Sequence, residues 1–221
     1  MAGIKQIKCQ RPEGGTTQDH WLLETLDTHL ITPQRPPRKG VFYPSALGSK
    51  CDRFLYNSYF GLVQEQVIEP ITRRIFDCGD YLGLRYEKYF EKMGVLVGTE
   101  IPLKSDVPPI SGRLDFLIKH EQKQLAVIEL KSIGASGFRA LTKKPKDDHF
   151  IQIQIYLALT GHEYGVLLYE NKDSQRVKAF AINKDNEVWE QLVDRCANIM
   201  AMKEQPSICT GLRYCPCKKE Q

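Results

Sequence analysis

Residues 111–132 read SGRLDFLIKHEQKQLAVIELKS, two apolar runs separated by the short polar stretch HEQKQ. Leu114, Phe116 and Ile118, then Leu125, Val127, Ile128 and Leu130, are strand formers, and five polar residues suffice to turn one strand back on the other. The pattern predicts neighbouring strands over Ser111 to Lys119 and Leu125 to Ile133, with Asp115 on the first facing Glu129 on the second. Side chains two apart on a strand share a face, so Lys131 projects with Glu129 and reaches whatever Glu129 binds. Two like charges about 4 Å apart repel by roughly 4 kcal/mol at an effective dielectric near 20, so converging carboxylates in an apolar hairpin call for a cation. Lysine meets part of that demand. An all-oxygen donor set favours a hard ion for the rest, magnesium or manganese.

Working downstream, Lys131, Arg139, Lys143, Lys144 and Lys146 fall in a stretch with no acidic residue, punctuated by Gly134, Gly137 and Pro145. It reads as a flexible basic loop placed to hold phosphates. Next comes a helix capped by Asp147 or Asp148, on which Gln152 and Tyr156, four apart, share a face. His149 lies on that face and reads as solvated. A strand, GVLLYENK, follows.

Taken together, GRLDF, IELKS, Gln152-x-x-x-Tyr156 and GVLLYENK resemble the PD-(D/E)XK nucleases, in particular the RecB-like branch with its CRISPR-associated and phage exonucleases. The resemblance runs from about Tyr43 to the C-terminus. It implies a single α/β domain with a central mixed sheet flanked by helices, the restriction-endonuclease-like core. It also implies that Asp115 and Glu129 bind the metal, that Lys131 orients or activates the attacking water, and that Gln152 and Tyr156 shape the site and the DNA path. One element departs from the family. An upstream helix usually reads Gly-x-x-x-His, with the histidine a further ligand, and here Gly79 is followed by Gly83. Asp80 and Glu87 flank the vacant position at helical spacing, and Glu87 is the preferred substitute ligand. Glycine within a helix costs about 1 kcal/mol relative to alanine, so Gly79 and Gly83 predict a close approach of backbone, sheet or ligand.

The chain has 221 residues, 42% hydrophobic and 26% charged, with a formal net charge of +4, which suits one globular core and does not by itself declare a nucleic-acid partner. No apolar run approaches the roughly 18 residues that span a bilayer, so a soluble protein of the cytoplasm, the host's if viral, is expected. Seven cysteines in such a protein point to metal before disulfides. Cys209, Cys215 and Cys217 crowd the tail CTGLRYCPC, and Cys51 lies far upstream. One early and three late cysteines resemble the iron-sulfur staple of the cluster-bearing RecB-like nucleases, although the spacing Cys-x5-Cys-x-Cys departs from that family's usual pattern. Four thiolates suit a four-iron four-sulfur cluster, which the resemblance puts first, or tetrahedral zinc as the alternative. Cys196 falls on the apolar stripe of the last helix and Cys78 is read in the same way, as core; Cys9 gives no reading.

Residues 1–40 read as a loose basic terminus, a short helix capped by Thr16 or Thr17, and the linker TPQRPPRKG; residues 41–221 read as the nuclease domain with its cysteine tail. Helices are expected over Ser45 to Tyr59 and Pro70 to Met93, the latter with Ile71, Ile75, Leu82, Tyr86 and Phe90 on one apolar stripe. A strand at Val95 to Leu103, two more at Tyr164 to Asn171 and Arg176 to Ile182, and a last helix to about Met202 complete the order. The resemblance implies an exonuclease or DNA end-processing enzyme of recombination, repair or replication. A catalytically weak DNA-binding component of a recombination complex, suggested by Gly83, and a structure-specific endonuclease are the alternatives. No phosphate loop is present, so a helicase would be a separate partner. Oligomeric state is not legible.

Overall fold

A computed structural model describes residues 21–34, 36–63, 66–119, 125–210, 215 and 217. The expected cap at Thr16 or Thr17 and the HEQKQ turn lie outside them. In chain order the elements are α1 (Trp21–Leu30), β1 (Thr32–Gln34), α2 (Pro44–Leu47), α3 (Asp52–Phe60), β2 (Gln66–Ile68), α4 (Pro70–Lys92), β3 (Leu96–Asp106), β4 (Pro109–Lys119), β5 (Leu125–Ile133), α5 (Ala135–Ala140), α6 (Asp147–Thr160), β6 (Tyr164–Asn171), β7 (Val177–Asn183) and α7 (Asn186–Ala201). Five strands form one sheet in the order β3-β4-β5-β6-β7, antiparallel except for the β5–β6 pair. A parallel pair needs a crossover, and α5 with α6 supplies it. This is the mixed sheet between helices that the sequence predicts.

Apolar side chains sort into layers about that sheet. Ala126 and Ile128 of β5 pack with Leu82, Tyr86 and Phe90 of α4 on one face. Val127 and Ile133 pack with Ile153, Tyr156 and Leu157 of α6 on the other. Helix α6 is apolar on a second side too, where Ile155 joins Leu47, Leu55, Leu192 and Ile199 of α2, α3 and α7, because it is sandwiched between the sheet and an outer helical layer. Burial of its Gln154 is compensated by a hydrogen bond to the Asn183 carbonyl and one from the Asp185 N–H. No described helix is long and apolar enough to cross a membrane.

Several local expectations are corrected. The helix predicted over Ser45 to Tyr59 breaks into α2 and α3 at Gly48, whose backbone meets α6 so closely that a Cβ there would lie 2.6 Å from the Asp148 Cα. Ile71 and Ile75 are exposed, and of the expected stripe only Leu82, Tyr86 and Phe90 reach the core. Cys78 is exposed on the same helix, whereas Cys196 is buried as expected. Neither Asp147 nor Asp148 caps α6; Lys146 holds the cap position without a side-chain bond, and both aspartates sit in the first turn, where the helix dipole still favours them. A two-stranded antiparallel ribbon, β1 with β2, appears where only linker was read.

Candidate active site

Strands β4 and β5 fork at the site. Their ladder runs from Lys119↔Leu125 to Phe116↔Ile128, and at the next position the Asp115 side chain takes over, its Oδ2 accepting the Leu130 N–H at 2.8 Å. The alternation of β4 breaks there as well. Leu114 packs under α6, yet Phe116, two residues on, packs under α4. Beyond the fork β5 continues alone against β6, with Glu129↔Leu167 and Lys131↔Tyr169 in register. Because β5 is central and covered on both faces, Glu129 is only 1% exposed. Its Oε1 lies 2.6 Å from the Lys131 Nζ. The same ammonium donates to Gln152 Oε1 at 2.9 Å, and Gln152 Nε2 donates to the Tyr156 hydroxyl at 3.0 Å. The structure thus joins four of the five predicted catalytic residues in one chain of hydrogen bonds, with Asp115 across the fork.

Electrostatics set this cluster apart from a solvated hairpin face. Burial, and then the neighbouring Asp115, push the Glu129 carboxyl up to about 8, against the opposing pull of Lys131. Burial also raises Asp115, countered by the Leu130 N–H and Lys131. Tyr156 is raised as well, by burial and then by Glu129. Glu129 Oε2 is buried with no hydrogen-bond partner among the described residues. Two adjoining buried carboxyls, one with an orphaned oxygen, are an arrangement that a bound cation would satisfy.

Known proteins bear on this arrangement through structure alone. No family model and no curated protein sequence matches the chain. Among solved structures, the protein SSO0001 superposes with a TM-score of 0.55 at 22% identity, over 84% of this chain and 85% of its own. An alkaline exonuclease from Laribacter hongkongensis superposes at 0.54, and its complex with dAMP at 0.56, each at 15% identity over 80% of this chain and 91% of that one. At these identities the likeness is one of fold: the chain shares the fold of the alkaline exonuclease and of SSO0001.

On one side the fork at Asp115 faces helix α4. A cleft of about 150 Å³ opens between them, lined by Gly79, Asp80 and Gly83 of α4 together with Glu100, Arg113, Asp115 and Ser132. Of the two carboxylates that flank Gly83 in sequence, Asp80 lines this cleft, while Glu87 stands one turn further along α4 and does not. Of the close approaches expected at the two glycines, neither backbone nor sheet comes near, and both glycines line the open cleft. A Cβ at Gly79 or Gly83 would meet nothing within 4 Å. Two residues that sequence reasoning missed also line the cleft, Glu100 and Arg113, which form an ion pair with each other. Glu100 carries a positive φ of 52° within β3, a conformation that no local sequence signal announces.

Basic residues after β5 are better ordered than a flexible loop. Phe138 of α5 and Leu141 are buried, and Lys178 of β7 donates to both of their carbonyls. This anchoring leaves Arg139, Lys143, Lys144 and Lys146 exposed on the outer side, Lys144 being drawn to Asp147 at 3.3 Å. His149 is not simply solvated either. It is partly buried, with Nδ1 2.9 Å from the Tyr169 hydroxyl.

The four cysteines singled out in the sequence converge. The Sγ atoms of Cys51, Cys209, Cys215 and Cys217 all lie within 4.8 Å of one another, three of the residues being buried and Cys209 half-buried. Cys51 is the N-cap of α3, and its sulfur accepts the Phe54 N–H at 3.3 Å. Burial pushes the Cys51 thiol up. Cys215 goes the other way: burial opposes it, but hydrogen bonds from Cys209, Cys217 and Cys51 bring it down to about 7. One thiol is therefore poised to ionise inside a ring of sulfur donors.

Proposed function

We propose that the protein is a divalent-metal-dependent deoxyribonuclease, an exonuclease or DNA end-processing enzyme that hydrolyses phosphodiester bonds. The observation that carries the reading is the buried pair Asp115 and Glu129 at the fork, with a free Glu129 oxygen and Lys131 at hydrogen-bond distance. Its fold neighbours support it, since one is an alkaline exonuclease with a dAMP complex. Asp115 and Glu129 would hold magnesium or manganese, which when bound supplies charge stabilisation at the phosphate and a more acidic water. Asp80 is the α4 carboxylate placed at the cleft to join them, with Glu87 second. Lys131 keeps a positive charge beside the scissile group and donates to the attacking water. Gln152, oriented by Tyr156, holds Lys131 from behind. Arg139, Lys143, Lys144 and Lys146 would carry the strand by its phosphates.

End-labelled linear and circular DNA, incubated with and without magnesium or manganese, tests this. Mononucleotides or short products from linear DNA alone, and only with metal, are expected. Metal-dependent cutting of circles or junctions would make it an endonuclease instead. DNA binding with no cleavage under either metal would favour the non-catalytic reading that Gly83 motivates. Unwinding would require a separate helicase partner.

The cysteine centre reads as structural zinc. Zinc–sulfur bonds near 2.3 Å give a tetrahedron of sulfurs about 3.8 Å apart. The four sulfurs here lie within 4.8 Å of one another, with 3.2 Å for Cys215–Cys217 and 3.4 Å for Cys209–Cys217, a spread that brackets a single-ion tetrahedron. Around a four-iron cluster each thiolate binds its own corner iron, which spreads the sulfurs more widely than a single ion does.

A further inference from the structure

His149 is the most constrained group that the chemistry above leaves unused. It lies one turn before Gln152 on the same face of α6, near enough to Lys131 for that charge to act on it. Its partner Tyr169 is fully buried, and the Tyr169 hydroxyl accepts the Lys146 N–H at 3.3 Å. A phenol carries one proton. Among the described residues the acceptor for it is His149 Nδ1, at 2.9 Å. If Nδ1 accepts, the proton of a neutral imidazole sits on Nε2. Burial, then Lys131, and also Lys146 push the ring down to about 4, with Asp148 alone opposing, which favours the neutral imidazole. Asp148 does not occupy the Nε2 proton, because its Oδ2 stands 3.9 Å away. With Nδ1 accepting from Tyr169, the ring presents an Nε2–H donor near Lys131 and the basic segment. This tautomer offers a proton and no lone pair, so it suits an anionic oxygen rather than a metal ion.

We infer that His149 is a substrate-binding residue whose Nε2–H donates to a phosphate oxygen of the DNA strand as it crosses the first turn of α6, with Tyr169 the positioning residue that fixes the tautomer. The inference rests on the nuclease reading and adds to it a named phosphate contact.

Single-turnover cleavage by wild type, His149→Ala, His149→Asn, His149→Gln and Tyr169→Phe tests it, on plain DNA and on DNA with one methylphosphonate placed at successive positions. A hydrogen bond to a charged oxygen predicts a loss of about tenfold or more for His149→Ala. His149→Asn should match it, because its amide reaches only the Nδ1 position. His149→Gln, with a donor near Nε2, should recover most of the rate, and Tyr169→Phe should fall between. At one methylphosphonate position the wild type should slow and His149→Ala should lose nothing more. His149→Ala within twofold of wild type overturns the inference, as does a loss that glutamine does not rescue and no methylphosphonate cancels. Wild-type protein that neither binds nor cuts DNA would instead remove the nuclease reading beneath it.

Discussion

The fork at Asp115 and Glu129 and the cysteine cluster both gather groups of metal-ligand chemistry out of water, but they differ in what else satisfies them. At the fork, protein groups answer part of the demand: Leu130 N–H bonds Asp115, Lys131 bonds Glu129, and Gln152 and Tyr156 support the lysine. A cleft lined by Asp115 and α4 lies open beside them. Among the described residues, the cysteine sulfurs have little beyond one another and the Phe54 N–H, and they pack with Phe54 and Ile208 in a cluster that ties the tail to the start of α3. A site that keeps its shape without metal can exchange it and turn over substrate. A site that depends on its metal for internal satisfaction is a staple.

The largest expected separation between the two is in stability. Cys215→Ser should lower the melting temperature by on the order of 10 °C, as losing a ligand removes several kcal/mol of metal-coupled folding energy from a chain of this size. Lys131→Ala should leave melting within a few degrees of wild type. Elemental analysis of anaerobically prepared protein should find about one zinc per chain and no iron. A brown, iron-loaded protein would assign the cluster, and protein free of both would dissolve the contrast.

A smaller effect concerns pH. With Glu129 raised to about 8, the metal-free folded state holds a proton that the unfolded chain releases above the ordinary glutamate range. Stability from this group is fully present below the unfolded value and falls as pH rises through about 8, so metal-free protein should melt lower at pH 9 than at pH 6. Saturating magnesium or manganese should reverse part of that trend, because binding favours the charged form. Differential scanning calorimetry of wild type and Glu129→Gln checks this, and an identical pH slope in both would remove Glu129 as its source.

Smallest is the change at the vacant histidine position. Gly83→His meets open space and replaces a mid-helix glycine, so it should stabilise α4 by up to about 1 kcal/mol and raise cleavage if the imidazole reaches the ion. Asp80→Asn should cost more activity than Glu87→Gln, measured as initial rates over a metal titration. The reverse order would show that the cleft around Asp80 is not the metal side of the site.

Most of the sheet was legible because a half-buried strand writes its period of two into the sequence, and β5 added the run of apolar residues that a central strand requires. Asp115, Glu129 and Lys131 stood out as charges interrupting that apolar run. Features set by long-range contacts were not legible. Gly48 ends α2 because Asp148, a hundred residues on, occupies its Cβ space. Tyr169 reaches His149 from β6, and nothing near either residue in sequence announces the pair. Ile71 and Ile75 keep the helical spacing of a core stripe but are exposed, since spacing along a helix does not say how far its covered face extends. β1 and β2, three residues each, are too short to carry a periodic signal.

The central claim is that the fork is a nuclease site working through Glu129 and Lys131. Its most direct test is single-turnover cleavage of end-labelled DNA with magnesium or manganese by wild type, Glu129→Gln and Lys131→Ala, each matched for melting temperature. Metal-dependent cleavage by wild type and losses of about a hundredfold or more in both variants are expected. Wild-type rates in both folded variants would contradict it.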